Sequence, residues 1–231
     1  MQASGLAFSF SVYIKYRLLS IDKNGRICYN LSNTKGCENM KLILSSRDFG
    51  NAESAKFIAE NLPKPINECK ILYFPNENAT RSRIKSGRYE NRLVKYGFSP
   101  ENAFVADYFN PEPFFEMDFD IVYVGGGNTF GILKRLRAAK FDELILKLLK
   151  NGAVYVGGSA GAHIICSDIS HVVRFDKAPN GFTDFRGLGL YDGIFVCHFS
   201  EERRAIFEEL CAEGKCPVTA LSDEDSTLIE I

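Results

Sequence analysis

The stretch "AVYVGGSAGAH", Ala153–His163, decides the fold and raises the first question about chemistry. A run of apolar β-forming residues ends in two glycines, and a single serine, Ser159, follows among glycines and alanines. The segment fits G-x-S-x-G, in which a strand turns sharply into a helix and strains the serine backbone. Small neighbours let such a turn close. The motif predicts a serine nucleophile above the carboxyl end of a sheet. The alternative is a tight turn that serves packing alone.

Strands and helices alternate outward from this motif, beginning at Met40. Apolar runs predict strands at Lys41–Ser45, Cys69–Pro75, Ala103–Asp107, Asp120–Gly127 and Ala153–Gly157, then in "GIFVCHF" and twice near the end. Amphipathic stretches predict helices at Ala52–Asn61, Arg81–Tyr96, Thr129–Leu136 and Phe141–Lys150, and from Glu201 onward. Near-continuous Val/Ile/Leu runs between helices are typical of strands buried on both faces. The pattern therefore predicts an α/β fold with a mostly parallel sheet flanked by helices on both faces.

The first 39 residues differ from the rest of the chain. Asn24-Gly25 is a strong turn signal between apolar alternations, and a polar, linker-like stretch follows it. We expect residues 1–39 to be an N-terminal leader, either an appended hairpin or the product of a misassigned start. Residues 40–231 are then the catalytic domain.

Composition and charge narrow the class of protein. The 231 residues carry 28 basic and 29 acidic side chains, for a net charge of −1, so we expect neither a nucleic-acid nor a membrane partner. No apolar run approaches the length that spans a bilayer. The seven cysteines are scattered and lack metal-ligand spacing, which favours reduced thiols in a cytoplasmic protein. We expect no metal and no cofactor.

A second glycine cluster lies in "VYVGGGNTF", at the end of the preceding strand. In a parallel sheet this turn shares an edge with Ser159, so Gly126, Gly127 and Asn128 are candidate oxyanion or substrate contacts. The amide of Ala160, at the start of a helix, is the other candidate oxyanion donor. A phosphate-binding loop is the alternative, but its spacing fails. A tight connection capped by Asn128 or Thr129 is the second alternative.

An activated serine needs a base, and the chain has three histidines. His198 closes an apolar strand, where a base would have to lie. His163 moves with the helix after Ser159, and His171, in a polar stretch, is expected to be exposed. His198 is therefore the candidate base.

The third member should be a carboxylate between the serine and the histidine, the order that elbow-type hydrolases follow. The candidates are Asp168, Asp176, Asp184 and Asp192. Asp176 is favoured, because it follows a short β-run and precedes a loop.

Four motifs resemble those of the peptidase E (α-aspartyl dipeptidase) family and its cyanophycinase-like relatives: "MKLILSS", "VGGGNTFGILKRL", "GGSAGAHI" and "GIFVCHFS". The resemblance runs from Met40 to Ile231. It implies a sheet like that of class I glutamine amidotransferases, flavodoxin-like, with serine in place of their cysteine. It also implies that Ser159 is the nucleophile, His198 the base and Asp176 the orienting carboxylate, with oxyanion amides from Gly127 and Ala160.

The sequence differs from the family pattern in three places. Asp176 lies 17 residues beyond the serine, beside an insertion at Ala178–Tyr191. The segment after His198 is short, and residues 1–39 have no counterpart.

The resulting hypothesis is a serine peptidase that hydrolyses small peptides, chiefly dipeptides with N-terminal aspartate, through an acyl-enzyme. The alternatives are a cyanophycinase-like or other acyl hydrolase, and a non-catalytic binding module of the amidotransferase-like fold. A homodimer is compatible with the sequence. An acidic substrate needs a cation, and Lys177 and Arg186 are the candidates, with Arg174 expected to pair with Asp176 in an extended strand.

Overall fold

The computed structural model describes residues 40–231. The predicted leader and its hairpin at Asn24-Gly25 lie outside this range, so the division at residue 40 stays a prediction. The strands are β1 Lys41–Ser45, β2 Ile71–Phe74, β3 Ala103–Val105, β4 Ile121–Val124, β5 Val154–Gly158, β6 Ile194–Val196, β7 Val218–Ala220 and β8 Ser226–Glu230. The helices are α1 Ala52–Asn61, α2 Arg81–Lys85, α3 Arg88–Lys95, α4 Thr129–Ala138, α5 Phe141–Lys150, α6 Ala160–Ile164 and α7 Glu201–Glu213.

Six strands form the central sheet, in the order β3-β2-β4-β5-β1-β8. The first five run parallel, and β8 is antiparallel to β1 at the edge. All residues of β2, β4 and β5 are buried, and apolar clusters cover the sheet on both faces. This explains why these strands read as continuous apolar runs. The predicted α/β fold with a mostly parallel, helix-flanked sheet is confirmed. Its relation to the amidotransferases stays a prediction.

The sheet order brings the two glycine-rich turns together. β4 and β5 are parallel neighbours, and the register pairs Val124 with Gly157. The turn after β4 and the turn after β5 therefore leave the sheet at the same edge. β1 lies on the other side of β5, with Ser45 opposite Gly158, so the segment after β1 reaches this edge as well.

Two sequence predictions differ from the structure. The helix predicted over Arg81–Tyr96 is divided into α2 and α3, because Gly87 adopts a left-handed conformation with φ 70°. The strand within "GIFVCHF" does not join the central sheet. It is β6, which pairs in parallel with β7 in a separate two-stranded sheet. The ends of β6 and β7 consequently lie side by side.

Candidate active site

Ser159 forms the turn between β5 and α6. Its backbone has φ 49° and ψ −102°, a conformation that non-glycine residues rarely adopt. Gly158 and Gly161 lie too close to neighbouring atoms to carry a side chain. A Cβ on Gly158 would lie 2.1 Å from Oδ2 of Asp48, and one on Gly161 would lie 2.0 Å from the carbonyl oxygen of Val124. The strained elbow that the motif predicts is present.

His198 lies directly against the serine. Its Nε2 is 2.9 Å from Oγ of Ser159. His198 follows β6 with φ 53°, and its backbone N–H donates to Oγ of Ser46 over 2.9 Å. The segment after β1 thus helps to fix the backbone from which the imidazole projects. The distance between Nε2 and Oγ is that of a hydrogen bond through which a serine proton can pass to a base.

Asp223 is the carboxylate that contacts this histidine. Its Oδ1 lies 2.5 Å from Nδ1 of His198, and its Oδ2 accepts a hydrogen bond from Nη2 of Arg47 over 2.7 Å. These bonds, with Arg47 contributing most and His198 next, hold the pKa of Asp223 below its usual range. Ser159, His198 and Asp223 therefore form a continuous hydrogen-bonded chain, and the sequence reasoning missed its third member.

Asp176, the predicted partner of His198, lines the cavity over Ser159 but has a different hydrogen-bond partner. Its Oδ2 accepts a hydrogen bond from the backbone N–H of Thr129, the first residue of α4, over 2.7 Å. A carboxylate is stabilised at this position by the unpaired amides of a helix N-terminus. The segment before Asp176 is a 3₁₀ turn, Ser170–Arg174, and not a β-run, so Asp176 does not point toward the histidine as an extended strand would direct it. The placement of Asp176 against His198 was wrong.

The glycine turn after β4 lies beside the serine. A Cβ on Gly126 would be 3.7 Å from Cβ of Ser159, and Gly127 has φ 151°. Asn128 caps α4, because its side chain accepts the N–H of Gly131 over 2.9 Å. The backbone N–H of Asn128 donates to Glu77. The capped-connection interpretation thus holds for Asn128, while Gly126 borders Ser159 and both glycines line the cavity above it. Ala160 is buried at the start of α6.

Ser45, which ends β1, and the three residues after it together contact every member of the serine–histidine–aspartate chain. The carbonyl oxygen of Ser45 accepts the N–H of Ser159 over 2.8 Å. Ser46 accepts the N–H of His198, and Arg47 pairs with Asp223. The carboxylate of Asp48 lies against Gly158, and burial raises its pKa to about 6.

A cavity of about 450 Å³ opens over the serine. Two arginines line it together with Ser159 and His198: Arg47 from the segment after β1, and Arg203 from α7. A guanidinium N–H of Arg203 donates to the carbonyl oxygen of Cys197, and its guanidinium carbon lies 4.7 Å from the ring centroid of Phe175. Both arginines were missed from the sequence.

The cations that the sequence favoured lie outside this cavity. Arg186 is exposed and pairs with Asp184 over 2.8 Å, and Lys177 contributes its backbone carbonyl to the side chain of Asn128. Arg174 pairs with Glu209 and Glu213 on α7, so its expected pairing with Asp176 was wrong. The guanidinium of Arg174 is thereby held on α7, and that of Arg186 is held by Asp184.

The other two histidines, His163 and His171, are buried. Burial lowers the pKa of His163 to about 3 and that of His171 to about 4. The expectation that His171 is exposed was wrong, since it is only 7% exposed and its Nε2 lies 3.1 Å from the carbonyl oxygen of Phe195. Neither histidine has the contact with Ser159 Oγ that His198 has.

Residues 40–231 contain neither a metal-binding cluster nor a membrane-spanning helix. Among residues 40–231, no group of three or more His, Cys, Asp or Glu side chains is arranged to hold a metal ion. In the same residues, no helix combines the length and the apolar character needed to cross a bilayer.

Fold and site together define an α/β protein with a serine elbow, and comparison with known proteins gives its family. Residues 42–230 match the sequence profile of peptidase family S51. The chain belongs to this peptidase family, which confirms the resemblance to peptidase E.

Several individual proteins are similar to parts of this chain. An uncharacterized peptidase of Listeria monocytogenes is 33% identical over 116 residues, 48% of this chain and 56% of the relative. A peptidase E of Citrobacter koseri is 46% identical over 84 residues, 36% of this chain and 35% of the relative. The chain thus spans about half, or less, of the curated relatives it matches. A crystal structure of a protein assigned as a peptidase E, from Listeria monocytogenes, shares the fold with a TM-score of 0.66 at 21% identity, covering 84% of this chain and 95% of the other.

Proposed function

We propose that this protein is a serine peptidase that hydrolyses dipeptides with N-terminal aspartate. The observation that carries the proposal is the chain from Ser159 Oγ through His198 to Asp223, with contacts of 2.9 and 2.5 Å. This constellation is the one that activates a serine for acyl transfer, and it is recognised by geometry and not by order along the sequence.

In the proposed reaction, Oγ of Ser159 attacks the peptide carbonyl carbon while Nε2 of His198 takes the hydroxyl proton. The imidazolium then gives this proton to the leaving amine, the C–N bond breaks, and an acyl-enzyme remains. Water, deprotonated by the same Nε2, attacks the ester, and the serine leaves with its proton restored. Asp223 holds the Nδ1–H tautomer throughout and stabilises the imidazolium.

The oxyanion formed at each attack requires donors on the side of Ser159 away from the histidine. The proposed donors are the backbone N–H of Ala160, which follows the serine, and an N–H of the glycine turn at Gly126 or Gly127. Gly126 borders Ser159, which supports this assignment. Two such preorganised donors typically lower the barrier by several kcal/mol, on the order of 3 kcal/mol each.

Arg203 is the proposed partner of the substrate's aspartate side chain, in place of Lys177 and Arg186. It is half-buried, lines the cavity and is held by Cys197 and Phe175. A guanidinium whose position is fixed in advance matches a carboxylate bidentately and loses less conformational entropy on binding than a mobile side chain.

Activity on a panel of Asp-Leu, β-aspartyl-leucine, Ala-Leu and a simple ester tests the proposal. The wild type should turn over Asp-Leu, and Ser159→Ala should abolish turnover while circular dichroism remains unchanged. Ester turnover without Asp-Leu turnover would favour another acyl hydrolase. A folded protein that turns over none of them and is not labelled at Ser159 by a fluorophosphonate would be the non-catalytic module.

The aspartate preference is tested separately with Arg203→Ala and the matched control Arg204→Ala. Arg204 is the next residue of α7, but its partner is Glu201 and it does not line the cavity. We expect Arg203→Ala to reduce kcat/KM for Asp-Leu by about two orders of magnitude, the effect of losing a charged hydrogen bond. Ala-Leu turnover should change little. Equal loss for both substrates would contradict the role given to Arg203.

A further inference from the structure

We infer that Arg47 binds the C-terminal carboxylate of the substrate and thereby restricts the enzyme to dipeptides. The inference rests on the proposed function and adds a second specificity residue to it. In the described part of the chain, Arg47 and Arg203 are the arginine and lysine side chains that line the cavity over Ser159. An Asp-X dipeptide carries two carboxylates, one on its side chain and one at its C-terminus.

The chemistry of the leaving group decides which arginine meets which carboxylate. Nε2 of His198 must deliver its proton to the leaving amine, so the C-terminal residue lies on the histidine side of the cavity. In a dipeptide the C-terminal carboxylate is only two covalent bonds from that amine nitrogen. It therefore lies close to His198.

Arg47 lines the cavity together with His198. Its Nη2 lies 2.7 Å from Oδ2 of Asp223, whose Oδ1 is 2.5 Å from Nδ1 of His198. Arg203 is held by other groups, since its guanidinium stacks on Phe175 and donates to the carbonyl oxygen of Cys197. Phe175 in turn packs parallel to the ring of His163. Arg47 and Arg203 are thus held by different groups, Arg47 by the carboxylate of Asp223 and Arg203 by the ring of Phe175.

Arg47 also has donors left for a ligand. A guanidinium carries five N–H groups, and the pairing with Asp223 occupies one nitrogen. The Arg47 side chain is 55% exposed, so its outer face is open to the cavity mouth. Solvent weakens an ion pair at such a position, so the expected effect is about tenfold in specificity and not a thousandfold. A peptide extended beyond the second residue places a neutral amide at this point and gains nothing from Arg47.

The test compares Asp-Leu with Asp-Leu-amide, which differ only in the terminal charge. The measured quantity is the ratio of their kcat/KM values. Because Arg47 also holds Asp223, its substitution is expected to lower turnover of both substrates, and the ratio cancels that shared loss. We expect the wild type to favour Asp-Leu by about tenfold or more. Arg47→Ala should bring the ratio to near 1, and Arg47→Lys should keep part of it.

Two controls isolate the effect. Arg204→Ala removes an arginine of similar exposure, 51%, outside the cavity, and should leave the ratio unchanged. Calorimetry with Ser159→Ala as the background measures binding without turnover. In that background Asp-Leu should bind more tightly than its amide, and adding Arg47→Ala should abolish the difference.

The outcomes separate the two proposals. If Arg47→Ala lowers both substrates equally and keeps the ratio, Arg47 only positions Asp223, and the inference is wrong. A wild type that cleaves Asp-Leu and its amide equally overturns the inference while the proposed function stands. If the wild type cleaves neither substrate and the Ser159→Ala variant binds neither, the proposed function and this inference are both refuted.

Discussion

Replacing Asp223 by asparagine tests the assignment of the third catalytic residue. The carboxylate accepts Nδ1–H of His198 and carries the charge that stabilises the imidazolium. Asparagine keeps the volume, removes the charge, and can turn its NH₂ group toward Nδ1, which favours the wrong tautomer. A hydrogen bond to a charged group contributes about 1.5–3 kcal/mol, and 3 kcal/mol corresponds to roughly 160-fold in rate.

Solvent limits the size of this effect. The Asp223 side chain is 42% exposed, and the ion pair with Arg47 partly neutralises its negative charge. Loss of the tautomer preference in a buried triad costs about 10⁴ in kcat, so a lower value, on the order of 10²–10³, is expected here because of solvent screening. The assay is steady-state hydrolysis of Asp-Leu from pH 6 to 9, with thermal unfolding measured on the same samples.

Asp176→Asn is the matched control. An asparagine Oδ1 still accepts the N–H of Thr129 and is as good a helix cap as aspartate, so kcat should fall by less than about tenfold. The reasoning is refuted if Asp176→Asn is the more damaging variant and Asp223→Asn retains more than a tenth of the wild-type kcat.

Three further predictions concern stability, each measured by urea unfolding. Gly161→Ala forces a Cβ to within 2.0 Å of a main-chain oxygen and should cost several kcal/mol, about 3 or more, whereas Gly152→Ala, with open space around it, should cost only about 1. His163 has its pKa lowered to about 3, so the unfolded state binds a proton first as pH falls below 6.5, and this histidine should lower the free energy of unfolding by about 1.4 kcal/mol per pH unit. His171, whose pKa is lowered to about 4, adds a similar slope. His163→Asn should therefore remove its own part of the slope and leave that of His171, and an unchanged slope would contradict the assignment. Asp48 has its pKa raised to about 6, so its contribution is present at acidic pH and lost as pH rises through 6; Asp48→Asn should gain more stability at pH 8 than at pH 5.

Much of the fold could be predicted because its signals are local. β1, α1 and α5 have the predicted bounds, since each is a short apolar or amphipathic run ended by turn residues. The position of Ser159 follows from steric limits that act within five residues. The division of the helix at Gly87 was missed, because an isolated glycine inside a helical pattern is usually tolerated.

Asp223, the third member of the proposed triad, could not be found by the same means. Asp223 follows β7, and it reaches His198 only because β6 and β7 are parallel neighbours whose ends coincide. The order that elbow-type hydrolases follow predicts a carboxylate between the serine and the histidine, and Asp223 lies after both. A usable signal was present, namely the acidic turn "SDED" after a short apolar run, at the same strand end as the base.

Arg203 shows a second limit of the sequence. It is one of several charged residues in the first turns of α7, where "EERRAIFEEL" gives no pattern that separates a ligand from a solvated charge. Its role depends on Phe175, which lies nearly thirty residues earlier and stacks beneath the guanidinium. Contacts at such separations are set by tertiary packing.

The segment Ser45–Asp48 explains how the proposed triad, from three distant parts of the chain, keeps one geometry. Ser45 fixes the backbone of the nucleophile, Ser46 that of the base, and Arg47 holds the acid by its second oxygen. Each group is therefore positioned against the end of β1 and not only against its catalytic neighbour. Because all three groups are held by the end of β1, the carboxylate can come from any loop that reaches this strand. A carboxylate that follows the histidine in the sequence, as Asp223 does, is therefore compatible with the same chemistry. A displacement of β1 should consequently lower kcat through all three groups at once.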